Sequence, residues 1–405
     1  MATNKEQNKL NVPHLRFPEF EGEWEKHRLS EYLDFKNGLN PDSKRFGKGI
    51  KFISVMDILN NPVITYDCIR ASVQATDAEI SSFSVENGDI LFQRSSETLE
   101  DVGRANVYID DKVAVFGGFV IRGKKKANYD PLFFRYLLSS PYARKRIIPM
   151  GAGAQHFNIG QEGLSKVSLN FPSIEEQTKI ASLLHLLDER IATQSKLIED
   201  LKKLKSAIID YAINSLDTDF AKFSSLYEMA GEGGTPTTSN ASFYDNGKIP
   251  FVKIDDLKKK YLTENKDFIT ELGLQKSSAW LVPTRSILFS NGATIGEITI
   301  TTYPVCTKQG ILGIVPKPNI DVEFLYYFMS SSYFRKAVSR IVTEGTMKTA
   351  YLKDINNIRC PIPKKEKQLD IAKMPSALNF KIDFEQSILK LFGSQKQYLL
   401  RQMFM

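Results

Sequence analysis

DPLFFRYLLSSPYARK, residues 130–145, returns 191 positions later as DVEFLYYFMSSSYFRK, residues 321–336, with eight of the sixteen positions identical. Upstream, IKFISVMDI (50–58) pairs with IPFVKIDDL (249–257) at an offset of 199, and GDILFQR (88–94) with RSILFSN (285–291) at 197. Downstream, LSKVSLNFP (164–172) pairs with LKDINNIRCP (352–361), and EEQTKI (175–180) with KEKQLDI (365–371). Five matches in the same order mean that the chain is built twice. The drifting offset places gains and losses of residues between the matches, where surface loops tolerate them and function is often carried. Each copy thus has a shared scaffold and private loops.

Each copy has two parts. The first, 22–172 and 217–363, is rich in short β-branched and aromatic runs punctuated by Gly, Pro, Asn and Asp, which reads as strands and turns. One helix per copy is expected, at 131–147 and 322–342, so the fold class is α+β. The second part, 173–216 and 364–405, carries a heptad pattern. Its apolar seam holds Ile180, Leu184, Leu187, Ile191, Ile198, Leu201 and Ile208 in one copy, and Ile371, Leu378, Ile382, Leu389, Phe392 and Leu399 in the other. Its polar breaks recur at matching places, Gln194 with Glu385 and Lys205 with Lys396. Residues 1–21 form an N-terminal segment. Two similar globules, each followed by a similar helix of roughly 40 residues or ~60 Å, imply pseudo-twofold symmetry. The helices are then expected to pair as an antiparallel coiled coil, with the globules at opposite ends of a rod. The competing reading lays each helix on its own globule. Pro375 is expected to kink the second helix or delay its start.

The 405 residues are 42% apolar and 25% charged, which suits globular domains and excludes a disordered or collagen-like chain. The longest apolar run, VAVFGGFVI (113–121), is too short to span a bilayer. The opening MATNKEQNK is polar and does not read as a secretory signal. Cys68, Cys306 and Cys360 are odd in number and far apart, which points to a reducing compartment and away from a zinc clamp. With four histidines in the whole chain, a His-rich metal site is not expected. No phosphate-binding G-x-x-x-x-G-K-[ST] loop or amino-methylation motif is present; the segment from Gly118 to Lys125 misses the first by its last residue. Asp256, Glu264 and Lys266 could be forced into a nuclease pattern, but they fall in a lysine-rich stretch that reads as an exposed loop.

The net charge of +7 favours a polyanionic partner. Residues 22–172 nevertheless carry 20 basic against 18 acidic side chains, and 217–363 carry 17 against 15. Phosphate binding would therefore need charge segregated within each globule. Clusters that could supply it are Lys44–Arg45–Lys48–Lys51, Lys124–Lys126, Arg144–Arg146, Lys258–Lys260 and Arg335–Lys336–Arg340. What both copies keep cannot discriminate between two targets, so Arg144, Lys145, Arg335 and Lys336 are candidates for phosphate, partner or scaffold contact. What differs could read base edges. Those segments hold Arg45, Lys48, Gln93, Arg94, Arg104, Gln155 and Asn158 in the first copy and Asn291, Thr294, Thr346 and Lys348 in the second. Arg pairs with guanine, and Asn or Gln with adenine, by paired hydrogen bonds.

With LRFPEFEGEW (15–24), FPSIEEQTKIASLLHLLDERI (171–191) and CPIPKKEKQLDIA (360–372) added, the whole chain resembles the specificity subunit of type I restriction–modification systems. Lys365-Glu366-Lys367-Gln368 departs from the Pro-x-x-Glu-Glu-Gln form of the helix start. The resemblance implies two target recognition domains, each reading half of a split asymmetric DNA site, with paired helices setting the gap. It also implies a chain without catalysis or bound cofactor. Partners would be duplex DNA, two methyltransferase subunits using S-adenosylmethionine on adenine, and two ATP- and Mg-dependent restriction subunits. The setting would be the cytoplasm of a bacterium or archaeon. The alternatives are a stand-alone nuclease or methyltransferase, and a coiled-coil scaffold that binds only proteins.

Overall fold

The computed structural model of the protein describes residues 11–292, 294–342 and 348–405. The chain divides into two compact units, Met1–Gln194 with Ile388–Met405, and Ser195–Ser387. The helices that carry the repeat are α1 (Pro131–Ser139), α2 (Pro141–Ile147) and α3 (Ile174–Asn214) in the first copy. In the second they are α4 (Val322–Ser330), α5 (Ser332–Ile341) and α6 (Lys365–Gln402).

The helices expected at 131–147 and 322–342 are each broken in two. The break falls on Ser140 and Ser331, whose backbones are extended and whose Oγ atoms accept from the N–H groups of Ala143 and Phe334. A serine that caps the next helix competes with continuation of the last one. This duty accounts for its recurrence in both copies. The apolar run 113–121 is likewise two strands, Ala114–Phe116 and Val120–Lys125, in different sheets. Between them a Cβ on Gly118 would sit 1.8 Å from Asn40 Oδ1, so any larger residue there would displace the Asn40 side chain.

In the first unit the central sheet runs Leu33–Asn37, Val120–Lys125, Ile90–Gln93, Ala105–Val107, all antiparallel. In the second the matching strands are Tyr227–Glu232, Ile311–Pro316, Ile287–Ser290 and Ile298–Thr301, extended by a parallel Tyr261–Leu262. A two-stranded ribbon ties the start of each copy to its end: Glu25–Arg28 with Ser168–Phe171, and Phe220–Lys222 with Arg359–Pro361.

The long helices enter these cores. In the first unit Ile180, Ala181 and Leu184 of α3 share one buried cluster with Trp24, Phe133 and Tyr136, and with Leu400, Met403 and Phe404 at the end of the second copy. Further along, Asp188 of α3 pairs with Lys396 of α6, so the numbers of the two helices run in opposite directions. In the second unit Ile209 and Ile213 of α3 are buried with Ile371 and Ala372 of α6, and Lys205 Nζ donates to Asn379 Oδ1 at 2.9 Å. The helices are antiparallel here too. Of the thirteen seam residues, Ile180, Leu184, Leu187, Ile198, Ile371 and Ile382 are buried, and Ile191, Leu201, Ile208, Leu378, Leu389, Phe392 and Leu399 are half-buried. Helix α6 begins at Lys365, ten residues before Pro375, so the proline does not delay its start.

Asp188 and Asn379 are equivalent under the repeat, as are Lys396 and Lys205. Asp188 also accepts from Tyr136 Oη at 2.9 Å and Arg135 Nη1 at 3.3 Å, so one half-buried carboxylate serves two cations. In the second copy Tyr326 stands where Arg135 does, and the uncharged Asn379 suffices. Asp188→Ala should therefore destabilise by about 2–3 kcal/mol, because two cations lose their acceptor, and Asn379→Ala by about 1 kcal/mol. Urea melts of the single variants check this ordering.

A glutamine at each long helix start fastens helix to globule. Gln177 Oε1 accepts from Asp130 N at 3.1 Å, and its Nε2 donates to Pro172 O at 3.0 Å. Gln368 does the same with Asp321 N at 2.7 Å and Pro363 O at 2.9 Å. The atypical second start thus keeps the one residue of the motif that makes this joint. Its neighbour differs for a reason. Glu176 is buried and holds Arg16 and Trp24 of the N-terminal strap, whereas the matching Lys367 is exposed.

Candidate nucleic-acid interface

Many charges that looked available in the sequence are spent internally. Lys124 pairs with Glu86 and Lys126 with Asp34, while Lys125 Nζ donates to Tyr129 O. Lys258 pairs with Asp255 and Lys259 with Glu264. Lys260 is buried against Glu323, Tyr327 Oη and Ser376 Oγ. Asp256 Oδ2 accepts the N–H of Lys253, so the forced nuclease triplet is split between a turn cap and a surface ion pair. Among the described residues, no three His, Cys, Asp or Glu side chains converge to hold a metal ion.

Some of the divergent loops come together in each unit. In the first, the central strand ends at Gln93, and Arg94 O accepts from Ile159 N at 2.9 Å. This hooks the loop 151–158 beside 94–96, where Ser95–Ser96 pairs with Phe157–Asn158. Gln93, Arg94 and Asn158 therefore share one end of the sheet. Arg104 joins them through backbone bonds between residues 93 and 103–104. In the second unit Asn291 O accepts from Ala350 N at 2.9 Å, the same hook. Exposed Thr294 and Lys348 lie on the two segments it joins. Thr346 lies outside the described residues.

The candidates differ in how free they are. Gln155, Asn158, Lys48, Lys145, Arg335, Lys336, Thr294 and Lys348 are exposed. Gln93 and Asn291 are buried, and among the described residues each leaves its amide oxygen without a hydrogen-bond partner. Each donates to a local carbonyl, Gln93 to Ser95 O and Asn291 to Ala350 O. Arg94 Nη1 donates to Gly118 O at 3.2 Å. Arg45 grips Glu79 with two nitrogens and Gln74 O with its Nε. The Arg45 guanidinium, aided by the Thr76 N–H, pulls the Glu79 carboxyl down to about 2. Arg45 ends a short turn, Ser43–Arg45, that leads into the strand Phe46–Ile53, which pairs with Ser72–Val73 in a different sheet from Gln93.

Arg144 departs from the phosphate-contact expectation. Its Nη2 donates to Glu100 O at 2.8 Å and Val102 O at 2.7 Å, which assigns it to the scaffold. Burial first, and then repulsion from Arg104, pushes its pKa down to about 10. The repeat hid this: the identical Arg335 is exposed.

Sequence reasoning missed a second basic feature of the first unit. Lys26, Lys145, Arg146, Lys166 and Arg401 line one open groove with His14. They come from four distant stretches, so no local pattern could group them.

Residues 21–203 and 218–391 both match the family model described as the type I restriction modification DNA specificity domain. The chain belongs to this family of type I specificity subunits. It is 23% identical to a putative MjaX specificity subunit of Methanocaldococcus jannaschii, covering 94% of this chain and 92% of the relative. It is 22% identical to the HindI specificity subunit of Haemophilus influenzae, covering 73% and 80%. The fold is similar to the crystal structure of a type I S subunit from M. genitalium, with a TM-score of 0.57, 17% identity and coverage of 97% and 99%. The protein is thus a DNA-recognition subunit, and specificity subunits of this family are non-catalytic. No helix among the described residues is long and apolar enough to cross a membrane.

Proposed function

We propose that the specificity subunit reads a bipartite, asymmetric duplex target. One half-site meets the hooked loops of the first unit and the other meets those of the second. The observation that carries this reading is the duplicated hook, Ile159 to Arg94 and Ala350 to Asn291, on one scaffold whose surrounding loops differ in sequence. A shared frame with private loops is what two independent readers require. The boundaries 22–172 and 217–363 delimit the readers, and 173–216 and 364–405 the spacer helices. We further propose recruitment of two methyltransferase subunits, which use S-adenosylmethionine on adenine, and two ATP- and Mg-dependent restriction subunits. The assembly would work in the cytoplasm.

Exchanging 22–172 for the matching domain of another specificity subunit should change one half-site and leave the other. Methylation mapping in cells carrying the chimaera with its methyltransferase tests this, and a change in both half-sites would overturn two independent readers. Gln155 is exposed beside the hook. Gln155→Ala should relax discrimination at one base pair of the first half-site by about 1–3 kcal/mol, or roughly 5- to 150-fold. Binding to single-substituted duplexes reads this; a uniform loss across all duplexes would remove Gln155 from base reading.

A further inference from the structure

We propose that the basic groove of the first unit grips the phosphate backbone of duplex DNA next to the first half-site, as an anchor that the second unit lacks. This rests on the DNA-recognition reading and adds a contact that the base-reading loops do not supply.

The groove has a volume of about 1460 Å³. Its cations reach it from separate elements: Lys26 from the ribbon, Lys145 and Arg146 from α2, Lys166 before the ribbon's second strand, and Arg401 from the end of α6. All five are exposed. Lys166 pairs with Glu162, which stands outside the groove. Lys26, Lys145 and Arg401 have no acidic partner among the described residues, and no aspartate or glutamate lines the groove. Arg146 is held in place, stacked 3.9 Å from the Tyr142 ring and donating to Tyr142 O. Several unpaired cations around a groove with no aspartate or glutamate among its described lining residues form a positive field that favours entry of an anion. Five cations drawn from four separate stretches of chain exceed what a single small anion needs and suit a backbone of successive phosphates.

Two further features select DNA. Met150 lines the groove and leads straight into the loop 151–158, so the basic wall adjoins the proposed base reader. Lys145 recurs as Lys336, but most of the charge is private to this copy. Where the first copy has Arg146, Lys166 and Arg401, the positions 191 residues away in the repeat hold Ala337, Asn357 and Asp210. Asp210 is itself used at the start of α5, accepting from Ser332 N at 2.7 Å. A contact needed by the shared scaffold would recur in both copies; this one does not.

The test is the triple variant K26Q/K145Q/R401Q of the full chain. Its three positions are exposed and outside both cores, and its fold is checked by an unchanged urea melt. Affinity for a cognate and a scrambled 30-base-pair duplex is measured against salt, with the methyltransferase present. Three lost phosphate contacts should make the slope of log K against log salt shallower by roughly 2.7, and weaken both duplexes alike by a hundredfold or more at about 0.1 M salt. An unchanged slope and affinity would overturn the groove as a DNA contact. So would a loss confined to the cognate duplex, or a loss of methyltransferase association with DNA affinity intact. If wild type does not prefer the cognate duplex, the DNA-recognition reading itself fails, and that outcome is separate from the behaviour of the variant.

Discussion

Arg16→Ala should remove about 3–5 kcal/mol from the stability of the first unit. Glu176 is 2% exposed, and its two carboxylate oxygens accept from Arg16 Nε and Nη2, both at 2.8 Å. Trp24 Nε1 adds one weaker contact at 3.3 Å. The same guanidinium donates to Gly22 O at 2.6 Å, so it also closes the turn of the strap. Alanine would leave a carboxylate buried against a single indole N–H, and breaking a buried pair by removing one partner carries this cost. Lysine would restore the charge without the two-pronged geometry and should recover only part of the loss. The double variant R16M/E176M should regain most of it, because no charge is then stranded. The two tryptophans, Trp24 and Trp280, fall in different units, so denaturation followed in a Trp280→Phe background reports the first unit alone. A loss below about 1 kcal/mol would mean that solvent reaches Glu176 once the strap lifts.

Adding one heptad to each long helix, after Leu201 in α3 and after Ile382 in α6, should abolish recognition of the original target. Seven residues lengthen a helix by about 10 Å, or roughly three base pairs of duplex. A whole heptad preserves the seam phase that buries Ile371 and Ile382 and half-buries Leu201 and Ile208. Both half-sites should survive with a gap longer by about three base pairs. Affinity for the old target should fall to the non-specific level, a thousandfold or more. Adding the heptad to α3 alone would misalign Lys205 from Asn379 and should instead lower stability. Methylation mapping reads the first outcome, and an unchanged gap would sever helix length from spacing.

What the sequence displayed was repetition, and repetition speaks about whatever is built twice. The strand pairs, the serine pair and the glutamine at each helix start are legible because two copies obey the same packing rules. The residues kept out of solvent along the heptad seam follow from periodicity alone. Three things were not legible. Ser140 and Ser331 break their helices because a local cap outcompetes a favourable helical run, and the apolar pattern does not register that contest. Arg144 and Arg335 are the same residue in the same repeat, yet one is half-buried against the 99–102 loop and the other is exposed; the neighbouring private loop decides. The Arg16–Glu176 pair and the groove cations join residues up to several hundred positions apart, and nothing local in sequence links them.

The glutamine joint has a consequence for how such proteins diversify. On the globule side it asks only for a main-chain amide at Asp130 or Asp321 and a main-chain carbonyl at Pro172 or Pro363. Every polypeptide offers those groups whatever its side chains. Under the two-reader function proposed above, a head with wholly new loops spliced onto an old stalk at this seam would keep this joint, so that one crossover, rather than many point changes, would rewrite half of an address.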